Sequence, residues 1–215
     1  KKKPKTKKKK KGVAAKGDKG LTEAKVPKHK TRGRMEVMKA ARSGDAQAQL
    51  AVGLDYLSGK ARSQDFFKAA AWLRKSAKGG SGATAARAAF NLGALQLRGQ
   101  GGMLRNATAA NDWFAAAAAK GSAPARYQLA ASLLTGRGAE KDEGRAIALL
   151  RQAADQGHAK AQLRAGILLL SKQAPGLTIS EGLAEAERLL GKAAARGVNE
   201  AKWRLARILL ARAGA

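Results

Sequence analysis

TGRGAEKDEGRAIALLRQAADQGHAKAQL, residues 135–163 of a 215-residue chain, carries one complete helix between two glycine-bearing turns and the start of another helix. Asp142 reads as the N-cap, a side-chain acceptor for the first free amides. QAADQG (152–157) reads as the C-terminus, where a glycine takes the left-handed conformation without a Cβ penalty, and AKAQL opens the next helix. The same ending recurs in KAARSG (39–44), KSAKGG (75–80), AAAAKG (116–121) and KAAARG (192–197). The final glycines, Gly44, Gly80, Gly121, Gly157 and Gly197, stand 36, 41, 36 and 40 residues apart, which sets a repeat. A basic side chain near these ends is expected to meet the negative pole of the helix dipole.

After each glycine comes a helix of one kind: AQAQLAVGLDYLSG, AARAAFNLGALQLRG, APARYQLAASLLTG, AKAQLRAGILLL and EAKWRLARILL. Leu50, Leu54 and Leu57, or Leu163, Ile167 and Leu170, recur at three- and four-residue spacing and lay an apolar stripe on one face. Gly53, Gly93, Ala130 and Gly166 share one position, where a minimal side chain lets a neighbouring helix come close. The helix that closes each unit follows an N-cap at Asp65, Asn106, Asp142, and Thr178 or Ser180, with Thr178 and Glu181 spaced as a capping box. The repeat is therefore two antiparallel helices, and its abundant alanine favours both helix formation and close approach.

The order A-x-x-x-L-G, G-x-G, K-A-A-x-x-G resembles the Sel1-like repeat, a relative of the tetratricopeptide repeat, over roughly residues 32–212 with a half unit at each end. Trp72 and Trp113 stand where that family often has an aromatic in its second helix, and Leu149 and Leu189 replace it later. Repeats two and four depart from the pattern through their longer loops, QGGMLRN and KQAPGLTIS, and repeat four lacks the G-x-G. The resemblance implies an all-α, right-handed α-solenoid of about four helix pairs plus flanking half repeats. A lone pair cannot bury its stripe and must stack on its neighbours. The predicted organisation is an extended basic arm over residues 1–33 and a solenoid over 34–212. Its repeats cover about 45–80, 81–121, 122–157 and 158–197, with a final helix at 198–212.

Charge is the second signal. The formal net charge is +28, with 43 Lys and Arg against 15 Asp and Glu. Residues 1–39 hold 17 of the bases and 3 of the acids, so they and the remaining 176 residues each carry a net +14. KKKPKTKKKKKG (1–12) has nothing apolar to bury and is expected to stay solvated unless a polyanion orders it. Such a balance points to nucleic acid, an anionic surface or an acidic protein. The candidate RNA-binding residues are Lys1, Lys2, Lys3, Lys5, Lys7, Lys8, Lys9, Lys10, Lys11, Lys16, Lys19, Lys25, Lys28, Lys30, Arg32 and Arg34. Lysine suits phosphate as a point charge but reads no sequence, and no aromatic in the arm is there to stack on bases. A candidate partner face lies on helices of the first kind, at Arg126, Lys160, Arg164, Lys202, Trp203, Arg204 and Arg207. In related solenoids such helices line the concave surface.

Catalytic chemistry finds little footing. The chain has no cysteine, which removes disulfides, thiolate nucleophiles and cysteine-type zinc sites. His29, in the arm, and His158, at a helix start, read as solvated surface side chains without metal partners. GGSGAT (79–84) and RGQGG (98–102) lack the G-K-S/T ending of a phosphate loop and read as interhelix turns. The acid pairs Asp142 with Glu143 and Glu185 with Glu187 read as ordinary helix-start and exposed-face carboxylates. Of nine aromatics, about seven are assigned to the core and Trp203 to a partner. AGILLL (165–170) and similar runs are too short to cross a bilayer, so no membrane partner is expected. The chain opens on Lys1 and not on methionine, so a removed targeting peptide or further upstream residues are expected.

The expectation is a non-catalytic structural protein of a large ribonucleoprotein, foremost a mitochondrial ribosome, without cofactor or small-molecule substrate. Its arm would grip rRNA while its solenoid docks neighbouring proteins, which places it in the mitochondrial matrix. The alternative is a scaffold for protein complexes in cytoplasm or nucleus, with PKTKKKKK as an import signal.

Overall fold

A computed structural model describes residues 33–59, 62–171 and 177–213. Among them are ten helices and no strand: α1 (Arg34–Arg42), α2 (Ala46–Ser58), α3 (Phe66–Gly79), α4 (Gly82–Arg98), α5 (Ala107–Ala119), α6 (Ala123–Thr135), α7 (Glu143–Asp155), α8 (Ala159–Ser171), α9 (Ile179–Ala195) and α10 (Asn199–Ala213). Each packs on its neighbours in the chain, and α2 also touches α4, so the first helices of the first two pairs lie side by side. This is the stacked helix-pair solenoid expected of the repeat.

The turn that joins one pair to the next is built four times from the same two hydrogen bonds. The amides of Gly121 and Ser122 donate to Ala118 and Ala117 oxygens, at 2.9 and 3.0 Å. Gly157 and His158 do the same toward Ala154 and Ala153, and Gly197 and Val198 toward Ala194 and Ala193. Gly44 and Asp45 reach Ala41 and Ala40. These glycines have φ of 101° (Gly44), 88° (Gly121), 83° (Gly157) and 84° (Gly197), which L-residues adopt only with strain. The residue after the glycine then starts the next helix at once. Asp45 and Ser122 accept from the amides of Ala48 and Ala125 at 2.8 and 3.3 Å, two N-caps that the sequence pattern had not singled out. Asp65, Asn106 and Asp142 cap as predicted, and Thr178 with Glu181 forms the capping box.

Gly80 corrects the pattern. Its φ is −90°, so it needs no left-handed freedom. It is small because α3 ends against the start of α2: an added Cβ would lie 2.6 Å from the Ser76 oxygen and 3.2 Å from the Ala46 Cβ. Nor does every ending carry a base in its last turn, for α5 and α7 have none there.

Inside each pair, a small residue on the first helix receives a large one from the second. A Cβ on Gly53 would stand 2.9 Å from Leu73 Cγ, one on Gly93 2.7 Å from Phe114 Cε1, and one on Gly166 2.7 Å from Leu190 Cγ. Leu73, Phe114, Leu150 and Leu190 each sit seven residues before the closing glycine, and all four are buried. In the third pair Ala130 and Leu150 share one core cluster. Alanines fill most of the remaining interior, from Ala41 to Ala201. Of the aromatics Phe114 is wholly buried, while Tyr56, Phe66, Trp72, Phe90, Trp113 and Tyr127 pack at the edges of core clusters. Phe67 and Trp203 are exposed. The long loop after α4 folds back on α3, with Met103 plugged into the core and Gly102 under the Phe67 ring.

Gly93→Val drives a branched side chain into Phe114 and the Ala110 carbonyl and is expected to cost about 1–3 kcal/mol. Gly191→Ala, inside α9 with open space around its Cβ, is expected to add about 0.5–1 kcal/mol. Urea midpoints at unchanged slope measure both.

Candidate interaction surfaces

The arm residues Lys1 to Arg32 and His29 lie outside the described residues. Arg34 opens α1, is exposed, and acts on Asp55 of α2. Burial raises the Asp55 carboxyl above the usual range, and the charges of Arg62 and Arg34 oppose that shift.

The seven residues of the predicted partner face do not form one patch. Arg126 is half-buried on α6, Lys160 and Arg164 are exposed on α8, and the other four are on α10. Arg204 Nη2 pairs with Glu200 at 2.9 Å, and the Arg207 guanidinium lies 4.9 Å from the centre of the Trp203 ring. Arg204 and Arg207 enter a groove of about 1040 Å³ between α9 and α10, with Leu170 of α8 at its edge. Sequence reading missed the other half of this groove. Leu183 and Arg188 come from α9, and Leu205, Ile208, Leu209 and Arg212 complete it from α10. Leu183 is 48% and Leu209 47% exposed there, and the signal the sequence carried for them was the apolar stripe on these helices.

Between second helices, polar side chains tie successive pairs together. Arg151 of α7 donates from Nε and Nη2 to the two carboxylate oxygens of Glu185 on α9, both at 2.9 Å. Arg188 sits 3.6 Å from Asp155 and 3.6 Å from Glu185, and Arg196 donates to the Gly157 carbonyl. Glu185 is thus a mostly covered structural anchor, and the sequence reading of it as an exposed-face carboxylate is corrected. The guanidinium fork matches the carboxylate geometry in two parallel bonds.

His158 is also more than a surface side chain. Its Nδ1 accepts from the Ala161 amide at 3.2 Å, capping α8, and its ring lies 5.1 Å from that of Tyr127. Burial, with the nearby Lys160 charge, holds the imidazole below its ordinary pKa. Buried glutamines do related work: Gln49 and Gln162 donate from Nε2 to the Ala41 and Ala154 carbonyls, each across the turn into the preceding helix. No cluster of three or more metal-ligating side chains occurs among the described residues. No helix among them is long and apolar enough to cross a membrane.

The Sel1 repeat family model matches residues 44–81, 86–122 and 123–158, the pairs α2–α3, α4–α5 and α6–α7. The match stops before α8–α9, the pair whose connection is long and lacks G-x-G. Among solved structures, a Sel1 repeat protein from Oxalobacter formigenes superposes with a TM-score of 0.71 at 27% identity, covering 81% of this chain and 48% of its own. A protective antigen of uropathogenic Escherichia coli strains, described as having an SLR fold, superposes at 0.69 and 27% identity, covering 80% of this chain and 35% of its own. The chain thus spans between a third and a half of the length of these relatives. No curated protein matches it.

Two outcomes test the polar assignments. Alanine at Arg151 and at Glu185, separately and together, is expected to give a coupling of about 1 kcal/mol in a double-mutant cycle, read from chemical denaturation. For His158 the folded state prefers the neutral ring, so the unfolded chain binds more protons below about pH 6.5. Its contribution is full above that pH and declines as pH falls toward the lower folded pKa. His158→Asn keeps a cap without titrating, so the mutant's melting temperature should fall less than the parent's between pH 8 and pH 5.

Proposed function

This chain belongs to the Sel1 repeat family, and from that premise we propose that it is a non-catalytic scaffold whose solenoid holds other proteins in one assembly. The observation that carries the reading is the row of side-by-side helix pairs, closed inside by glycine and alanine and lined outside by charged side chains. A stack of this kind contacts only its neighbours internally and leaves long faces for partners. Exposed Lys160 and Arg164 on α8 are part of such a face. The family supports protein partners, and the identities of those partners belong to this proposal.

The composition of the first 34 residues favours a second reading, in which the arm ties the scaffold to RNA. A mitochondrial ribosomal subunit is the specific form of that reading. An import signal, placing the scaffold in the nucleus, is the competing use of the same lysines. Neither the Sel1 family nor the solved relatives contribute support for RNA, so the protein scaffold stands first.

One comparison separates these uses. The chain without residues 1–34 is expected to retain its cross-linked protein partners and to lose them when Lys160 and Arg164 are both changed to Glu. Partners that disappear with the arm, or that nuclease releases from the full chain, would overturn the scaffold reading. If the arm holds RNA, its removal abolishes RNA cross-linking, and full-chain affinity drops by about 10³-fold or more between 50 and 200 mM salt. If it is an import signal, the shortened chain moves out of the nucleus with RNA association unaltered.

A further inference from the structure

Resting on the reading in which this chain holds RNA, we propose that the exposed face of α3, with the end of α1, binds a single strand of nucleic acid. α3 contains no acidic residue, and Phe67, Ala71, Arg74 and Lys78 follow one exposed line along it at spacings of four, three and four residues. Lys75 flanks that line, its ammonium 4.7 Å from the centre of the Trp72 ring. α1 adds Lys39 and Arg42 from its last turn. Both helices end against the start of α2: Ser76 Oγ donates to the Ala46 oxygen, and the Asp45 amide donates to the Ala40 oxygen. Lys39, Arg42, Arg74, Lys75 and Lys78 therefore gather at one corner. All are exposed, and none makes an ion pair among the described residues. The Asp45 carboxylate nearby is engaged in capping α2 through the Ala48 amide.

This face belongs to the body of the stack. Trp72 packs on the cluster that Val37 and Met38 of α1 join, and Leu73 shares a cluster with Trp113 of α5, so helices flank α3 on both sides and the ridge between them stays open. Later second helices differ. On α5 exposed Asp112 accompanies Lys120 among alanines, and on α9 Arg188 and Arg196 are engaged by carboxylates and by the Gly157 carbonyl. The chemistry of the ridge selects its occupant. Lysine and arginine without an apolar floor do not make the desolvated anchor pocket of a protein interface, whose core is depleted in lysine, whereas spaced point charges suit a chain of phosphates. At the far end of the line Phe67 is 70% exposed, its ring resting on Gly102, where a Cβ would lie 2.5 Å from Cε1. A supported ring beside cations offers a base a stacking surface, the device of sites that hold single strands without reading sequence. From Phe67 to Lys78 the line extends about 16 Å. α1 begins at Arg34, where the bases of the arm end, so one strand can engage arm and corner together.

The test is fluorescence anisotropy of a labelled single-stranded RNA of about 30 nucleotides, roughly two site lengths, on the full chain across a salt series. Arg74→Gln, Lys75→Gln and Lys78→Gln together, at exposed positions that leave circular dichroism unchanged, should reduce the slope of log K against log salt by about 2, at about 0.7 per lost phosphate contact. Neutralising Lys141, Lys160 and Arg164 in the same way removes equal charge elsewhere and should leave the slope nearly unchanged. Phe67→Ala should weaken binding by about fivefold or more, and Phe67→Tyr, which keeps a ring, should restore it. Equal slopes for the two triple changes, or indifference to Phe67→Ala, would overturn the proposal while the RNA reading survives, because the arm then holds the strand alone. If the parent chain binds no strand, both fall. Polyglutamate that binds the parent as tightly as the strand does, and loses that affinity with the α3 changes, would assign the ridge to an acidic protein and also sink the proposal. If the strand binds through α3 as expected while nuclease leaves every partner of the chain in cells in place, the site stands and the RNA reading fails.

Discussion

The distance between the two helices of each pair is set by a glycine or alanine facing a leucine or phenylalanine. At Gly53, Gly93 and Gly166 the large side chain sits so close that a methyl group would overlap it. That contact fixes where the second helix lies, and through the seven-residue spacing to the closing glycine it also fixes where the next pair begins. A methylene too many at the notch shifts the axis of one helix, and in a stack each later unit inherits the shift. Dense packing makes such errors costly, since an alanine-rich interior has few long side chains that can rearrange.

Around this apolar frame, polar groups secure the seams. The two glutamine amides bind carbonyls in the last turn of the preceding helix, and Ser76 Oγ on α3 donates to the Ala46 oxygen at the start of α2 at 2.8 Å. The Ala41 and Ala154 oxygens also accept from the Gly44 and Gly157 amides, so each glutamine adds a second donor that ties the new helix to the turn before it. The Arg151–Glu185 fork and the Arg196 bond to Gly157 join elements from successive pairs, so they resist sliding between repeats where the apolar contacts alone are less directional.

Charge is concentrated outside the first three pairs. The first three pairs repeat closely enough to match the family model, and their interiors are closed. The last helices diverge, leaving apolar side chains between arginines, while the basic residues of the first 39 positions supply half of the net charge. They differ in kind, because the first segment is charge with little apolar surface, whereas the groove sets arginines beside leucines.

Residue order alone determined the helix-pair repeat, the capping at Asp65, Asn106, Asp142 and Thr178, and the small-residue notches, because each of these is a relation between residues close along the chain. The split of the aromatics, seven toward the core and Trp203 outward, was legible from their repeat positions, but the exposure of Phe67 was not. Tertiary structure decided what those positions meet. It made Gly80 a packing glycine without a left-handed φ, turned Glu185 into the anchor of Arg151, and made His158 a helix cap. It also put Leu183 and Leu209 in one groove with Arg204 and Arg207 while leaving Lys160 and Arg164 elsewhere. Periodicity reports which face of a helix is apolar, but the angle at which two such faces meet is fixed by side chains dozens of residues apart.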